Sequence, residues 1–271
     1  MRRHRHPRCL LAVGLAILVA CSHHRPAMSG DPDNMQRDLA RQLAQRGAWE
    51  EALSVLNEIR LRHPDDAEMT LLRGVAFREQ GMLDEARTEL LEAADQAPMW
   101  GAVHAALAIA LDMAGQGAEA IVHHQRAVAL EPKNAGWLNN LGYSLATSGR
   151  VRESVEIYQR ALRIDPLDRR TRNNLGFAYA RLGDFRQAAL QFDRGGAVSE
   201  SRVNLGYAYE LAGRLPQALD AYEEGSRLEG ASGPAHVHWQ RLSAKLGRPA
   251  SASANQSATP PAMAGEGGGA Q

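Results

Sequence analysis

Residues 135–168 read AGWLNNLGYSLATSGRVRESVEIYQRALRIDPLD, and Gly149 near the middle is one of seven glycines that recur along the chain. Gly47, Gly81, Gly115, Gly149, Gly183, Gly213 and Gly247 are separated by 34, 34, 34, 34, 30 and 34 residues. A fixed period in this range marks a stacked repeat, in which each unit buries its apolar face only against its neighbours. Seven positions before the glycine stand Ala40, Gly74, Ala108, Gly142, Gly176 and Gly206; five after it stand Ala52, Ala86, Ala120, Ser154, Ala188 and Ala218. Small side chains at these two places let antiparallel helices approach closely. Leu43, Phe77, Leu111, Leu145, Tyr179 and Tyr209 before the turns, with Leu56, Leu90, His124, Tyr158, Phe192 and Tyr222 after them, are the expected hairpin core. The glycine supplies the positive φ of a helix C-terminal cap. Pro64, Pro98, Pro132 and Pro166 then stop the second helix, since proline lacks the amide donor and restricts the residue before it.

The fourth unit carries Leu141, Gly142, Leu145, Gly149, Ser154, Tyr158, Ala161 and Pro166, and with these residues the chain resembles the tetratricopeptide repeat family from about Asp33 to Gly247. The resemblance implies an all-α fold, a right-handed superhelix of six helix-turn-helix repeats at 33–66, 67–100, 101–134, 135–168, 169–198 and 199–232. Arg73 departs from the usual leucine, His124 from a large apolar group, and Gly195 and Glu200 replace the alanine and proline of the fifth unit. The short step of 30 predicts a second helix about one turn shorter, ending near Gly195 and Gly196. Ala235, Trp239, Leu242 and Leu246 form a helical stripe with Gln240 in the small-residue place, which predicts a capping helix at 233–247. Thirteen helices are expected.

Arg2, Arg3, Arg5 and Arg8 precede an apolar run from Leu10 to Ala20, too short for the roughly 20 residues of a bilayer span. Leu18, Val19, Ala20 and Cys21 resemble the bacterial lipobox, which implies removal of residues 1–20 as a lipoprotein signal peptide and a lipid on Cys21. No other cofactor and no metal is expected. Ser22 after the cysteine favours, in that family, an outer-membrane location facing the periplasm. Residues 21–32 read as a lipid tether and 248–271, rich in Ala, Ser, Gly and Pro, as a disordered tail. Cys9 leaves with the signal, so no disulfide framework remains. Loss of four arginines leaves 27 basic and 31 acidic side chains, a net charge of −4, which argues against nucleic-acid binding.

In stacked hairpins the first helices line a concave groove. Inward positions in units four to six hold Asn140 with Tyr143, Asn174 with Phe177, and Asn204 with Tyr207, and Asn139 and Asn173 adjoin them. Carboxamides both donate and accept, so they can pair with the backbone of an extended peptide, while the aromatics supply apolar area. The same asparagines could instead fix contacts between neighbouring units. Leu71, Leu72 and Val75 in the second unit, then Ala105, Ala106, Ile109 and Met113 in the third, are the candidates for an apolar stretch earlier in the groove, which could seat an amphipathic helix or pilin-like segment or pack against the chain's own N-terminal tether. Arg170, Arg181, Arg241 and Lys245 could attract an acidic segment or stand as ordinary solvated charges, and the family's chaperone-binding clamp is not matched at Asn139 and Tyr143. His123 and His124 are adjacent and point about 100° apart on a helix, His236 and His238 lie two apart, and neither spacing suits a helical metal pair. No phosphate loop, metalloprotease motif or nucleophile elbow is present, so no enzyme is expected. The arrangement resembles tetratricopeptide lipoproteins of type IV pilus systems, especially the Tad pilus, with a secretin or pilus component as implied partner. Alternatives are recruitment of peptidoglycan hydrolases or outer-membrane assembly proteins, or a substrate-binding module of an enzyme.

Overall fold

The computed structural model describes residues 31–247, which form thirteen α-helices and no strand. They are α1 (Pro32–Gln45), α2 (Trp49–Arg62), α3 (Ala67–Glu79), α4 (Leu83–Gln96), α5 (Gly101–Met113), α6 (Gly117–Leu130), α7 (Ala135–Thr147), α8 (Val151–Ile164), α9 (Arg169–Arg181), α10 (Phe185–Gly195), α11 (Val198–Leu211), α12 (Leu215–Glu229) and α13 (Pro234–Lys245). The signal segment, Cys21 and the tail 248–271 lie outside the described residues.

Each predicted turn glycine has the left-handed backbone that ends a first helix, with φ from 65° at Gly247 to 85° at Gly149. At Gly149 the amide donates to the Ala146 carbonyl at 3.1 Å and Arg150 donates to Leu145 at 2.9 Å, which closes the last turn of α7. Side-chain acceptors start several first helices: Asp66 caps α3, Asn134 caps α7 and Asp168 caps α9. The second helices α2 and α4 have no side-chain cap and carry Glu50, Glu51, Asp84 and Glu85 in their first turns, where acids suit the helix dipole.

The chain divides into two compact units, one up to Gln191 and one from Phe192. In the first, each second helix packs between the first helix of its own hairpin and that of the next. First helices also touch in succession, α1 with α3, α3 with α5, α5 with α7 and α7 with α9, which makes theirs the inner face. One apolar core runs through α3 to α8, with Leu90, Leu107, Leu111 and Leu138 fully buried. The hairpins close where a small residue meets a large one. A Cβ on Gly142 would lie 2.6 Å from the Tyr158 ring, so the ring occupies the space that any larger residue would need.

Helix α10 has 11 residues where α8 has 14, and it ends at Gly195, as the short glycine step predicts. In the second unit Tyr222 packs on Gly206 in the same way, beside Leu219 and Leu242. Helix α13 lies against α11 and α12, and Gln240 is exposed in the place where a following helix would demand a small residue.

Gly142→Val is expected to destabilise the fold by about 1–3 kcal/mol through overpacking against Tyr158. Gly149→Ala should cost about 1–2 kcal/mol through φ alone, because nothing lies within 4 Å of its added Cβ. Urea unfolding of both variants checks the ranking, and an unchanged midpoint for Gly142→Val contradicts it.

Candidate functional site

Three neighbouring first helices of the first unit present matching stripes at i, i+4, i+7 and i+11, the spacing of one helix face. They are Ala102, Ala106, Ile109 and Met113 on α5; Gly136, Asn140, Tyr143 and Thr147 on α7; and Arg170, Asn174, Phe177 and Arg181 on α9. Met113 is 47% exposed and Tyr143 39%, while Phe177 is half-buried. These three supply the accessible apolar surface.

The other sequence-derived candidates divide by burial. Leu72, Val75 and Ile109 are all buried; Leu72 packs with Ala40, Leu56 and Met69, and Val75 joins the main core. They hold the hairpins together and offer a partner little area. Asn139 is buried, and its Oδ1 accepts from Thr171 Oγ1 at 3.1 Å and from Asn174 Nδ2 at 2.9 Å. That carboxamide therefore ties α7 to α9. Its own Nδ2 donates weakly to Asn140 Oδ1 at 3.4 Å, which leaves the Asn140 amide nitrogen without a partner among the described residues. Asn173 is half-buried and its Oδ1 has no hydrogen bond. In the second unit, Asn204 is half-buried and Tyr207 exposed on α11. The structure thus brings Asn140, Tyr143, Asn174 and Phe177 onto one surface and assigns Asn139 to stacking.

Two polar clusters were hidden in the sequence. Asp112 accepts from Ser144 Oγ at 2.7 Å and pairs with His124 Nε2 at 2.9 Å, so the buried His124 replaces an apolar residue with its ring held by a carboxylate. A serine, a histidine and an aspartate meet here in the wrong order for catalysis. The aspartate stands between the other two, and no hydrogen bond joins His124 to Ser144 for proton abstraction. The second cluster pairs His104 with His123, their Nδ1 atoms 3.3 Å apart and their ring centroids 5.6 Å apart. That centroid distance is reached only when the rings meet head-on. An ion held in line by two nitrogens needs them about 4 Å apart, so this gap holds a proton instead. His104 Nε2 lies 3.0 Å from the Pro98 carbonyl and donates to it, leaving Nδ1 to accept from His123. These two residues occupy positions 11 before and 8 after Gly115; Arg172 and Gln191 face each other from the same positions around Gly183, a regularity that could have revealed the pair. Among the described residues, no group of three or more His, Cys, Asp or Glu side chains could hold a metal ion, and no helix is long and apolar enough to cross a membrane.

Helical hairpins with these close contacts match a known family. A profile described as tetratricopeptide repeat covers residues 37–98 and 105–169, and a second of the same description covers 169–194 and 199–224. The chain belongs to the tetratricopeptide repeat family. Among solved structures, MamA 41-end from Desulfovibrio magneticus RS-1 is 25% identical, with a TM-score of 0.56 over 61% of this chain and 94% of that one. A second MamA structure is 20% identical with a TM-score of 0.54, over 76% of this tetratricopeptide chain and 100% of its own. Cut9–Hcn1, the APC/C hetero-tetramer, matches at 20% identity and a TM-score of 0.59, over 80% of this chain and 44% of that one. The comparison with curated proteins returns no match.

Burial, and then the electrostatic coupling to the neighbouring His104 ring, hold the His123 imidazole below its ordinary value of 6.5. A folded-state value below the unfolded one means that the unfolded chain binds protons first on acidification, so the pair's contribution to stability is present at about pH 7 and lost towards about pH 5. His238 is lowered as well, by burial and then Arg241, and adds in the same direction. His123→Gln keeps a donor for His104 without titrating, and should lose less stability than the wild type between these pH values. Parallel urea-unfolding curves for the two proteins across that range would refute the assignment.

Proposed function

We propose that this chain is a lipid-anchored adaptor of the outer membrane, facing the periplasm, that holds a protein partner along the first-helix face of α5, α7 and α9. The observation that carries the reading is the first-helix face that bears the unpartnered Asn140 amide nitrogen together with the exposed Tyr143 and Met113. An amide that still needs a partner, set among accessible apolar groups, suits capture of an extended backbone. A chain of similar fold lies in the Cut9–Hcn1 hetero-tetramer, which favours partner binding as the use of such an array. The lipobox ending in Cys21 supports the anchor, since each buried acyl methylene contributes about 0.8 kcal/mol. The combination of anchor, short tether and repeats supports a role in assembling an envelope machine of the Tad-pilus kind, with a secretin or pilus component as partner.

Two measurements test these claims. Cys21→Ser should move the protein from the membrane to the soluble fraction, and a variant that stays with membranes refutes the anchor. A photo-crosslinker at position 143, followed by recovery from detergent-solubilised membranes, should capture a secretin or pilus component. Capture of a peptidoglycan hydrolase or a barrel-assembly protein instead replaces the pilus reading, and absence of any crosslinked protein refutes the adaptor.

A further inference from the structure

Helix α9, RRTRNNLGFAYAR, stands apart from its neighbours in charge. It carries Arg169, Arg170, Arg172 and Arg181 and no acidic side chain, whereas α7 holds no charged residue and α5 holds Asp112 alone. Arginines of the earlier first helices end on carboxylates: Arg37 on Asp66, Arg41 on Glu68 and Asp38, Arg73 on Glu89, and Arg78 on Glu79. On α9 the pattern changes at three of the four arginines. Arg172 donates to the Pro166 carbonyl and the Gln191 amide, and Arg181 donates to the Ala146 carbonyl. The exposed Arg170 guanidinium has no partner among the described residues. A carbonyl satisfies a hydrogen bond and leaves the positive charge uncompensated.

Arg170 and Arg181 lie on the same helix face as Asn174 and Phe177, at the edge of the surface assigned above to partner binding. That surface is therefore neutral over α5 and α7 and cationic at α9. We propose that its occupant is an extended protein segment with acidic groups, whose apolar residues rest on Met113, Tyr143 and Phe177 and whose carboxylates reach Arg170 and Arg181. Asn140 would pair with its backbone, and the two arginines would set the direction in which it lies. This rests on the partner-binding reading and adds to it the charge and polarity of the partner.

The test uses the full chain and synthetic dodecapeptides of one apolar pattern, with the remaining positions acidic, neutral or basic, and reads affinity by fluorescence anisotropy. Acidic peptides should bind about tenfold more tightly than neutral ones, and the margin should shrink as salt rises through the range where exposed charges are screened. Arg170→Glu, a change at an exposed position, should remove that margin while circular dichroism stays unchanged. Equal binding of all three peptides, or a margin that survives Arg170→Glu, overturns the charge assignment and leaves the groove in place when Tyr143→Ala still weakens every peptide. Binding of none overturns both.

Discussion

The contact on which the rest of this fold depends is the approach of one helix to the other inside each hairpin, where a residue with little or no side chain faces a large one. At Gly142 the Tyr158 ring stands where a Cβ would be, and at Gly206 the Tyr222 ring does the same. The thickness of a hairpin is set there. So is the direction in which the first helix turns its remaining faces, one towards the preceding second helix and one towards the inner side. Ser154 can occupy a small-residue place because its hydroxyl donates to the Val151 carbonyl at 2.8 Å, within its own helix, and brings no unsatisfied group to the contact.

Stacking between hairpins then relies on two kinds of polar contact. Partly exposed ion pairs such as Arg37 with Asp66 and Arg60 with Glu92 contribute about 0–1 kcal/mol each. Those with a buried hydroxyl donor differ in kind. Ser144 to Asp112 and Thr171 to Asn139 join residues 32 apart, and losing the acceptor leaves a buried hydroxyl that costs about 1–3 kcal/mol. These bonds contribute less to net stability than the apolar core does, yet they admit only one alignment of neighbouring repeats.

The hairpins, their turns and the shortened α10 were legible because each depends on local backbone chemistry repeated at a fixed interval. Inward-pointing positions could be counted from the glycines, but how much of a side chain remains accessible is decided by the adjacent repeat. Leu72 and Val75 occupy inward positions and are covered, whereas Met113, one turn beyond Ile109 on α5, emerges. The asparagines show the same limit. Asn139 and Asn140 are consecutive and chemically identical, and only the position of Thr171 and Asn174 gives one to stacking and leaves the other with a vacant donor. The adjacency of His123 and His124 drew attention away from His104, 19 residues distant from the first, which meets it through the hairpin.

The Asn139 bond also bears on how such an array can change over time. Residues 10 before one turn glycine and 12 before the next are Leu71 and Val103, Ala105 and Trp137, and Asn139 and Thr171; the first four lie in one apolar core and the last two share a hydrogen bond. Each is a matched couple, apolar with apolar or amide with hydroxyl. A copy of repeat 4 placed ahead of repeat 3 would set the Asn139 amide against valine. The repeats share an outline but not their sides, so their order is inherited as a whole, and duplication within the array would require both faces of the junction to be rewritten together.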